Sequence, residues 1–185
     1  APIPVLRARR SVSMPGGVGN VARNVAALGG QARLGAVVGQ DAAGAELTDL
    51  IAAENRVEDA LVRPEGAATI VKTRFVAAGQ QLLRLDDEQP GTAAYDDRGV
   101  FEGAKAILLS DYAKGVVGDA LLEAAVWAGR VFGAPVIVDP KGRDFARYGA
   151  VDLIKPNASE LAGATGLPVE TDDEVGAALA ALLAS

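Results

Sequence analysis

Three short stretches of the chain set carboxylates and lysines side by side: Ser110-Asp111-Tyr112 with Lys114, Asp139-Pro140-Lys141, and Lys155-Pro156-Asn157 with Glu160. Lysines suit phosphate groups, and carboxylates suit sugar hydroxyls or Mg²⁺. Each stretch closes or follows a short, nearly continuous apolar run, at residues 105–110, 135–138 and 151–154. If those runs are parallel strands, their C-terminal ends share the sheet edge where ligands bind in open α/β folds. Loops after strands are polar in any protein, but the same Asp/Lys character at all three exits favours a site. Asn157 and Glu160 stand three apart at a helix start, so they either face the crevice together or cap the helix as a capping box.

A second group lies earlier in the chain. Residues 69–78 alternate, placing Lys72 and Arg74 on one face with Ile70 and Val76, where they meet a phosphate or solvent. Arg84 and Asp86 also share a strand face and can pair with each other. Gly16-Gly17-Val18-Gly19-Asn20 opens a helix, whose bare backbone N–H groups favour anions or polar ligands. Gly17, Gly19 and Ala22 satisfy the dinucleotide spacing G-x-G-x-x-A, but the preceding segment is not a buried strand, and Pro15-Gly16 intervenes where a tight turn is needed. That reading is rejected. Arg7, Arg9 and Arg10 read as a solvated strand edge.

Composition removes other chemistries. The 185 residues include no Cys and no His, which excludes disulfides, thiolate nucleophiles, Ser-His-Asp triads and His/Cys zinc sites. A net charge of -6 argues against a general nucleic-acid or anionic-membrane binder. No apolar run approaches the roughly 20 residues that span a bilayer, so a soluble, cytoplasmic domain is expected. Half the residues are hydrophobic but only 4% are aromatic, which favours close helix-on-sheet packing.

The elements that must hold these residues follow from periodicity. A half-exposed strand is expected over 3–13 and a helix from Val18 to Leu28, closed by Gly29-Gly30. A strand over 32–38, a helix over 42–54 capped by Asp41, and a strand over 57–62 come next. Residues 69–78 and 81–86 form a hairpin around Gly79-Gln80. In the second half the three apolar strands alternate with a helical segment at 117–131 and a shorter one around 143–148, which implies a parallel sheet covered on both faces. Residues 172–184 form an acidic-started helix. Both ends of the chain, before Ala1 and after Ser185, read as cut from a longer protein.

Pro15-Gly16-Gly17-Val18-Gly19-Asn20-Val21-Ala22-Arg23-Asn24 resembles the diglycine signature of ribokinase-like (PfkB) sugar kinases, and Gly39-Gln40-Asp41, Asp139-Pro140-Lys141 and Asn157-x-x-Glu160 follow in that family's order. More narrowly, Ala1-Pro2-Ile3-Pro4-Val5, Gln80-Gln81-Leu82-Leu83-Arg84-Leu85-Asp86, Leu109-Ser110-Asp111-Tyr112-Ala113-Lys114-Gly115 and Asp139-Pro140-Lys141-Gly142-x-Asp144-Phe145-x-x-Tyr148 resemble the branch acting on D-glycero-β-D-manno-heptose 7-phosphate. The resemblance implies a three-layer α/β/α sandwich with a mostly parallel sheet and a small β-sheet lid, its strands near 1–15 and 66–90. It implies sugar contacts from Gly16, Gly17 and Asn20, and lid contacts to the sugar or its phosphate from Lys72, Arg74, Gln81, Arg84 and Asp86. Asp111, Tyr112 and Lys114 would border the crevice. Lys114, Lys141, Lys155, Asn157 and Glu160 would serve ATP and its phosphates, with Asn157 and Glu160 organising Mg²⁺ through water.

The partners implied are a small-molecule sugar phosphate and a second copy bound through the lid. The family's Gly-Ala-Gly-Asp turn, which carries the catalytic base, does not occur here. The base and most adenine contacts are therefore expected beyond Ser185, and the first strand before Ala1. The segment alone is not expected to catalyse. A nucleotidyltransferase domain, carried by many members, has a His-rich signature that this chain lacks. Other PfkB sugar kinases, and a non-catalytic sugar-phosphate-binding regulator on the same fold, remain alternative readings.

Overall fold

The computed structural model describes residues 7–88 and 93–184. The first half holds helix α1 (Gly17–Ala27), strand β1 (Ala32–Val37), helix α2 (Ala42–Ala52), strand β2 (Val57–Val62), and strands β3 (Val71–Ala77) and β4 (Gln80–Asp87). The second holds β5 (Ile107–Ser110), α3 (Asp119–Phe132), β6 (Val136–Asp139), β7 (Leu153–Ile154), α4 (Ala158–Thr165) and α5 (Asp172–Leu183). No described helix is long and apolar enough to cross a membrane.

The parallel strands lie in two sheets, β1 beside β2 and β5-β6-β7, while β3 and β4 form a separate antiparallel hairpin. The α/β reading therefore holds, with the parallel strands divided. Ile107 pairs with Val136 and Ser110 with Asp139, so the exits of β5 and β6 lie side by side, and Val138 pairs with Ile154 next to them.

Each parallel sheet carries its own core. Ala22 of α1 and Ile51 of α2 pack with Leu34, Val38, Val57 and Leu61. In the other, Leu121, Leu122, Ala125 and Ala128 of α3 pack with Ile107, Leu109, Val136 and Val138. The small residues expected to bring helix and sheet close do so at Gly129, where an added Cβ would lie 2.7 Å from Val136 Cγ2. The largest enclosed side chain, Tyr148, is 1% exposed, whereas the chain's one tryptophan, Trp127, sits on the outer face of α3 at 64% exposure.

Polar contacts tie the halves together. The buried Tyr95 hydroxyl donates to the Ala60 carbonyl at 2.7 Å, and burial pushes its pKa up to about 12. Its ring occupies space beside Gly35, where a Cβ would lie 2.9 Å from it. Arg33 Nη1 donates to the carbonyls of Val100 and Glu102 at the 3-10 turn Arg98–Phe101.

Two expectations change. The strand expected over 3–13 is absent from residues 7–13, which are irregular and exposed; among the described residues β3 and β4 pair with each other and no ladder reaches 7–13. The short helix around 143–148 contracts to a 3-10 turn at Ala146–Tyr148, fixed by the inward-facing Tyr148. Three expectations fall wholly or partly outside the described residues. Residues 1–6 carry the start of the expected lid strand, residues 89 and 90 its far end, and Ser185 marks the point past which the catalytic base is expected.

Candidate functional site

The diglycine turn comes first. Gly16 stands at the N-cap of α1 without a side-chain cap, and Gly17 takes φ +48°, a left-handed backbone in which a side chain is strained. The Tyr112 ring lies 3.5 Å from where a Gly17 Cβ would sit, so the exit loop of β5 meets the start of α1. Gly16, Gly17, Asn20, Lys72, Arg74, Asp111, Tyr112 and Lys114 all line one cleft of about 3130 Å³.

Asp111, expected to border the crevice, does so with its carboxylate turned inward. It is 5% exposed and accepts from Arg147 Nη1 at 2.8 Å, the Tyr148 hydroxyl at 2.9 Å and the Ala113 backbone N–H at 2.7 Å. Arg147 also donates to the Val117 carbonyl and lies over the Tyr148 ring at 5.2 Å. The Tyr148 hydroxyl in turn accepts from the Lys141 backbone N–H at 2.9 Å, joining the loops after β5 and β6. Burial raises the Tyr148 pKa, and its bond to Asp111 adds to the effect, so it stays the donor. Holding Asp111 this way bends the loop until Ala113 adopts φ +53°, and Tyr112 and Lys114 then leave the core as exposed side chains.

At the exits of β6 and β7 a second cluster forms, away from the walls of that cleft. Asn157 caps α4 by accepting from the Glu160 N–H at 2.9 Å, and Glu160 accepts from the Asn157 N–H at 3.0 Å. The capping-box alternative is the one observed. Glu160 Oε1 also pairs with Lys141 Nζ at 3.1 Å, and Lys155 pairs with Asp139 at 3.1 Å. Burial pushes the Glu160 pKa up, but the Asn157 amide and Lys141 outweigh it and hold the carboxyl below its ordinary value. Oxygen donors of this kind suit Mg²⁺. Both Glu160 oxygens are already engaged, and among the described residues no group of three or more His, Cys, Asp or Glu side chains is placed to hold a metal ion.

The hairpin unites residues that the sequence placed on separate strands. Lys72 pairs in register with Asp86, and Arg74 with Arg84, so all four share one face. Two arginines directly opposite one another repel. Arg84 relieves this by pairing with Asp86 at 2.8 Å, while Arg74 has no ion-pair partner among the described residues. Lys72 contacts Asp86 at 3.0 Å and also pairs with Glu88, which pairs with Lys114 of the core as well. Glu88 and Asp86 hold the Lys72 ammonium above its ordinary pKa, and Lys114 and Lys72 hold Glu88 below. Gln81 lies beside the hairpin turn, opposite Val76, and like Arg84 and Asp86 it does not line the cleft.

At the root of the hairpin, Asp41 caps α2 by accepting from the Gly44 N–H at 2.7 Å and also accepts from the Thr69 N–H at 2.8 Å. Glu88, Arg147 and the Thr69 contact were not legible as site features. Only the presence of Tyr148 within a quoted motif pointed toward any of them.

Helix-covered parallel strands, a diglycine helix start and a cation-bearing hairpin occur together in this chain; the family model for pfkB family carbohydrate kinases matches residues 2–185, and the chain belongs to that family. Among individual relatives it is 47% identical over 194 residues to the bifunctional protein HldE of Gluconacetobacter diazotrophicus, covering 100% of this chain and 40% of that protein. The chain thus spans about two fifths of the length of that relative. Of solved structures, Escherichia coli phosphofructokinase-2 in complex with fructose-6-phosphate superposes with a TM-score of 0.69 at 26% identity, over 100% of this chain and 64% of the other. Arabidopsis thaliana ribokinase complexed with ribose and ATP shares the fold, with a TM-score of 0.66 at 22% identity, over 95% of this chain and 59% of the other.

Proposed function

We propose that the protein containing this chain is an ATP-dependent kinase that transfers the γ-phosphate to the anomeric O1 of D-glycero-β-D-manno-heptose 7-phosphate. The product would be the 1,7-bisphosphate, on the cytoplasmic route to ADP-heptose and the lipopolysaccharide core. The observation that carries the substrate class is the hairpin face, where Lys72, Arg74 and Arg84 surround a single Asp86 in register. A neutral sugar needs fewer cations, whereas a phosphate monoester uses them in charge-assisted hydrogen bonds. The heptose branch is supported by the S-D-Y-A-K-G and Q-Q-x-x-R-L-D strings and by the similarity to bifunctional HldE.

In this reading Gly16, Gly17 and Asn20 approach the sugar where α1 begins, and Tyr112 closes the same side of the cleft. Gln81, Arg84 and Asp86 support the lid. Lys141 and Lys155 stand at strand exits beside the triphosphate, and Glu160 with Asn157 meets Mg²⁺ through water. Magnesium would neutralise phosphate charge when bound; the chain's own residues position the two substrates, which is most of what phosphoryl transfer requires of a protein. No residue of this chain is assigned as the base. The exposed Val76, Leu82, Leu83 and Leu85 of the hairpin support a homodimer through the lid, and the net charge of -6 supports no nucleic-acid partner.

The likeness to a phosphofructokinase-2 complex with fructose-6-phosphate favours one second reading, a kinase for another sugar phosphate. ADP formation by the full-length protein with Mg-ATP decides between them, with heptose 7-phosphate offered beside ribose, fructose and fructose 6-phosphate. Selective turnover of the heptose phosphate is expected. Preference for another sugar would replace the substrate while keeping the family, and no turnover of any would move the reading to a sugar-phosphate-binding regulator.

A further inference from the structure

Glu88 follows β4 and pairs with two lysines from different parts of the molecule, Lys72 of β3 and Lys114 of the loop after β5. Among the described residues, Lys114–Glu88 is the ion pair that joins the hairpin to the α/β core; every other pair lies within one of them. Every residue of β4 is exposed, so little apolar packing holds the hairpin in place and this charge contact bears on its position. The carboxylate occupies the position that any anion bridging the two ammonium groups would take. Its side chain is 24% exposed, and those of Lys72 and Lys114 are 39% and 44% exposed, so solvent and solutes reach all three.

We propose that Lys72 and Lys114 together form one subsite for a phosphate monoester, and that Glu88 is its built-in competitor. Without ligand, the Glu88 carboxylate bridges the lysines and pins the hairpin to the core. A ligand phosphate dianion displaces it, takes both lysines, and transfers the hairpin's attachment from the protein to the ligand. A neutral sugar offers no charge to replace the carboxylate and leaves the bridge intact, so Glu88 sharpens selectivity for phosphorylated ligands. The proposal rests on the phosphorylated-substrate reading above and goes beyond it by joining the two lysines and assigning Glu88 as a positioning residue.

The test is inorganic phosphate binding by the full-length protein, measured by calorimetry, in wild type, Glu88→Gln, Glu88→Asp and Lys114→Met. Exposed ion pairs of this kind are individually weak, so Glu88→Gln is expected to tighten phosphate binding about threefold to tenfold. Glu88→Asp, shorter by one methylene, should tighten it less, and Lys114→Met should weaken it. Hydrogen exchange should show the hairpin amides less protected in phosphate-free Glu88→Gln than in wild type, with phosphate restoring protection. Unchanged or weaker phosphate binding in both Glu88 variants overturns the proposal. Should either variant fail to fold, the other and Lys114→Met carry the same decision. Tighter phosphate binding in a protein that does not phosphorylate heptose 7-phosphate keeps the subsite and removes that substrate; turnover with unaltered phosphate affinity does the reverse.

Discussion

At the exit of β5, Asp111 is 5% exposed and its carboxylate is held by Arg147, Tyr148 and the Ala113 amide. At the root of the hairpin, Glu88 is a partly exposed carboxylate shared between two lysines, with Arg74 and Arg84 facing each other nearby. Both regions border the same cleft, yet one satisfies its carboxylate with a buried tyrosine and a partly buried arginine, and the other with exposed lysines. Satisfying a buried carboxylate fixes the geometry of a loop, because leaving it unpaired is costly. Exposed pairs exchange at little cost. In the proposed reading the strand exits act as a frame, and the hairpin is the part that would respond to ligand.

The contrast can be broken most directly at Asp111. Asp111→Ala leaves Arg147 and Tyr148 without their shared acceptor, and a loss of about 3 kcal/mol is expected in urea unfolding of the full-length protein. A loss below about 1 kcal/mol would mean that the β5 exit is not a frame and that the two regions are alike.

A smaller effect is expected at Asp41, which joins frame and hairpin through Gly44 and Thr69. Asp41→Ala should cost about 1 kcal/mol at neutral pH, the usual worth of an N-cap. The Thr69 and Gly44 backbone amides hold the Asp41 carboxyl below its ordinary value of 3.8. Because the folded pKa is lowered, this stabilisation is present above 3.8 and is lost as pH falls through the folded pKa. Unfolding curves of wild type and variant should thus differ at neutral pH and converge in acid; a gap independent of pH would deny the carboxylate that role.

The smallest expected change sharpens the picture of the frame. Ala113 sits at φ +53°, so Ala113→Gly should relieve strain and raise stability by about 0.5 kcal/mol. A loss of thermal stability in this variant would show that the Ala113 methyl matters more than its backbone.

The division between frame and hairpin also governs what could be read from the sequence. Strand β2 spans Val57–Val62, as its pattern predicted, and the hairpin and the three parallel strands of the second half follow their apolar runs closely. Asp41 and the Asn157/Glu160 box were legible because caps act within a few residues. Arg147 reaches Asp111 across 36 positions, and Glu88 reaches Lys114 across 26, distances at which local patterns carry no information. The separation of β1-β2 from β5-β6-β7 was equally hidden, since a strand's own residues report that it pairs but not with what. Residues 7–13 show the reverse case, an alternating segment that joins no ladder among the described residues.

Trp127 bears on how this molecule can be watched. The single indole of the chain already lies mostly in water on the back of α3, so its emission will change little when the chain unfolds or when the hairpin moves. Tyr95 and Tyr148, enclosed and hydrogen-bonded, are the native optical reporters, visible in near-ultraviolet dichroism. The exposed strand β4 offers the opposite opportunity: a fluorophore attached there would sense the hairpin against a segment whose own tryptophan stays nearly silent.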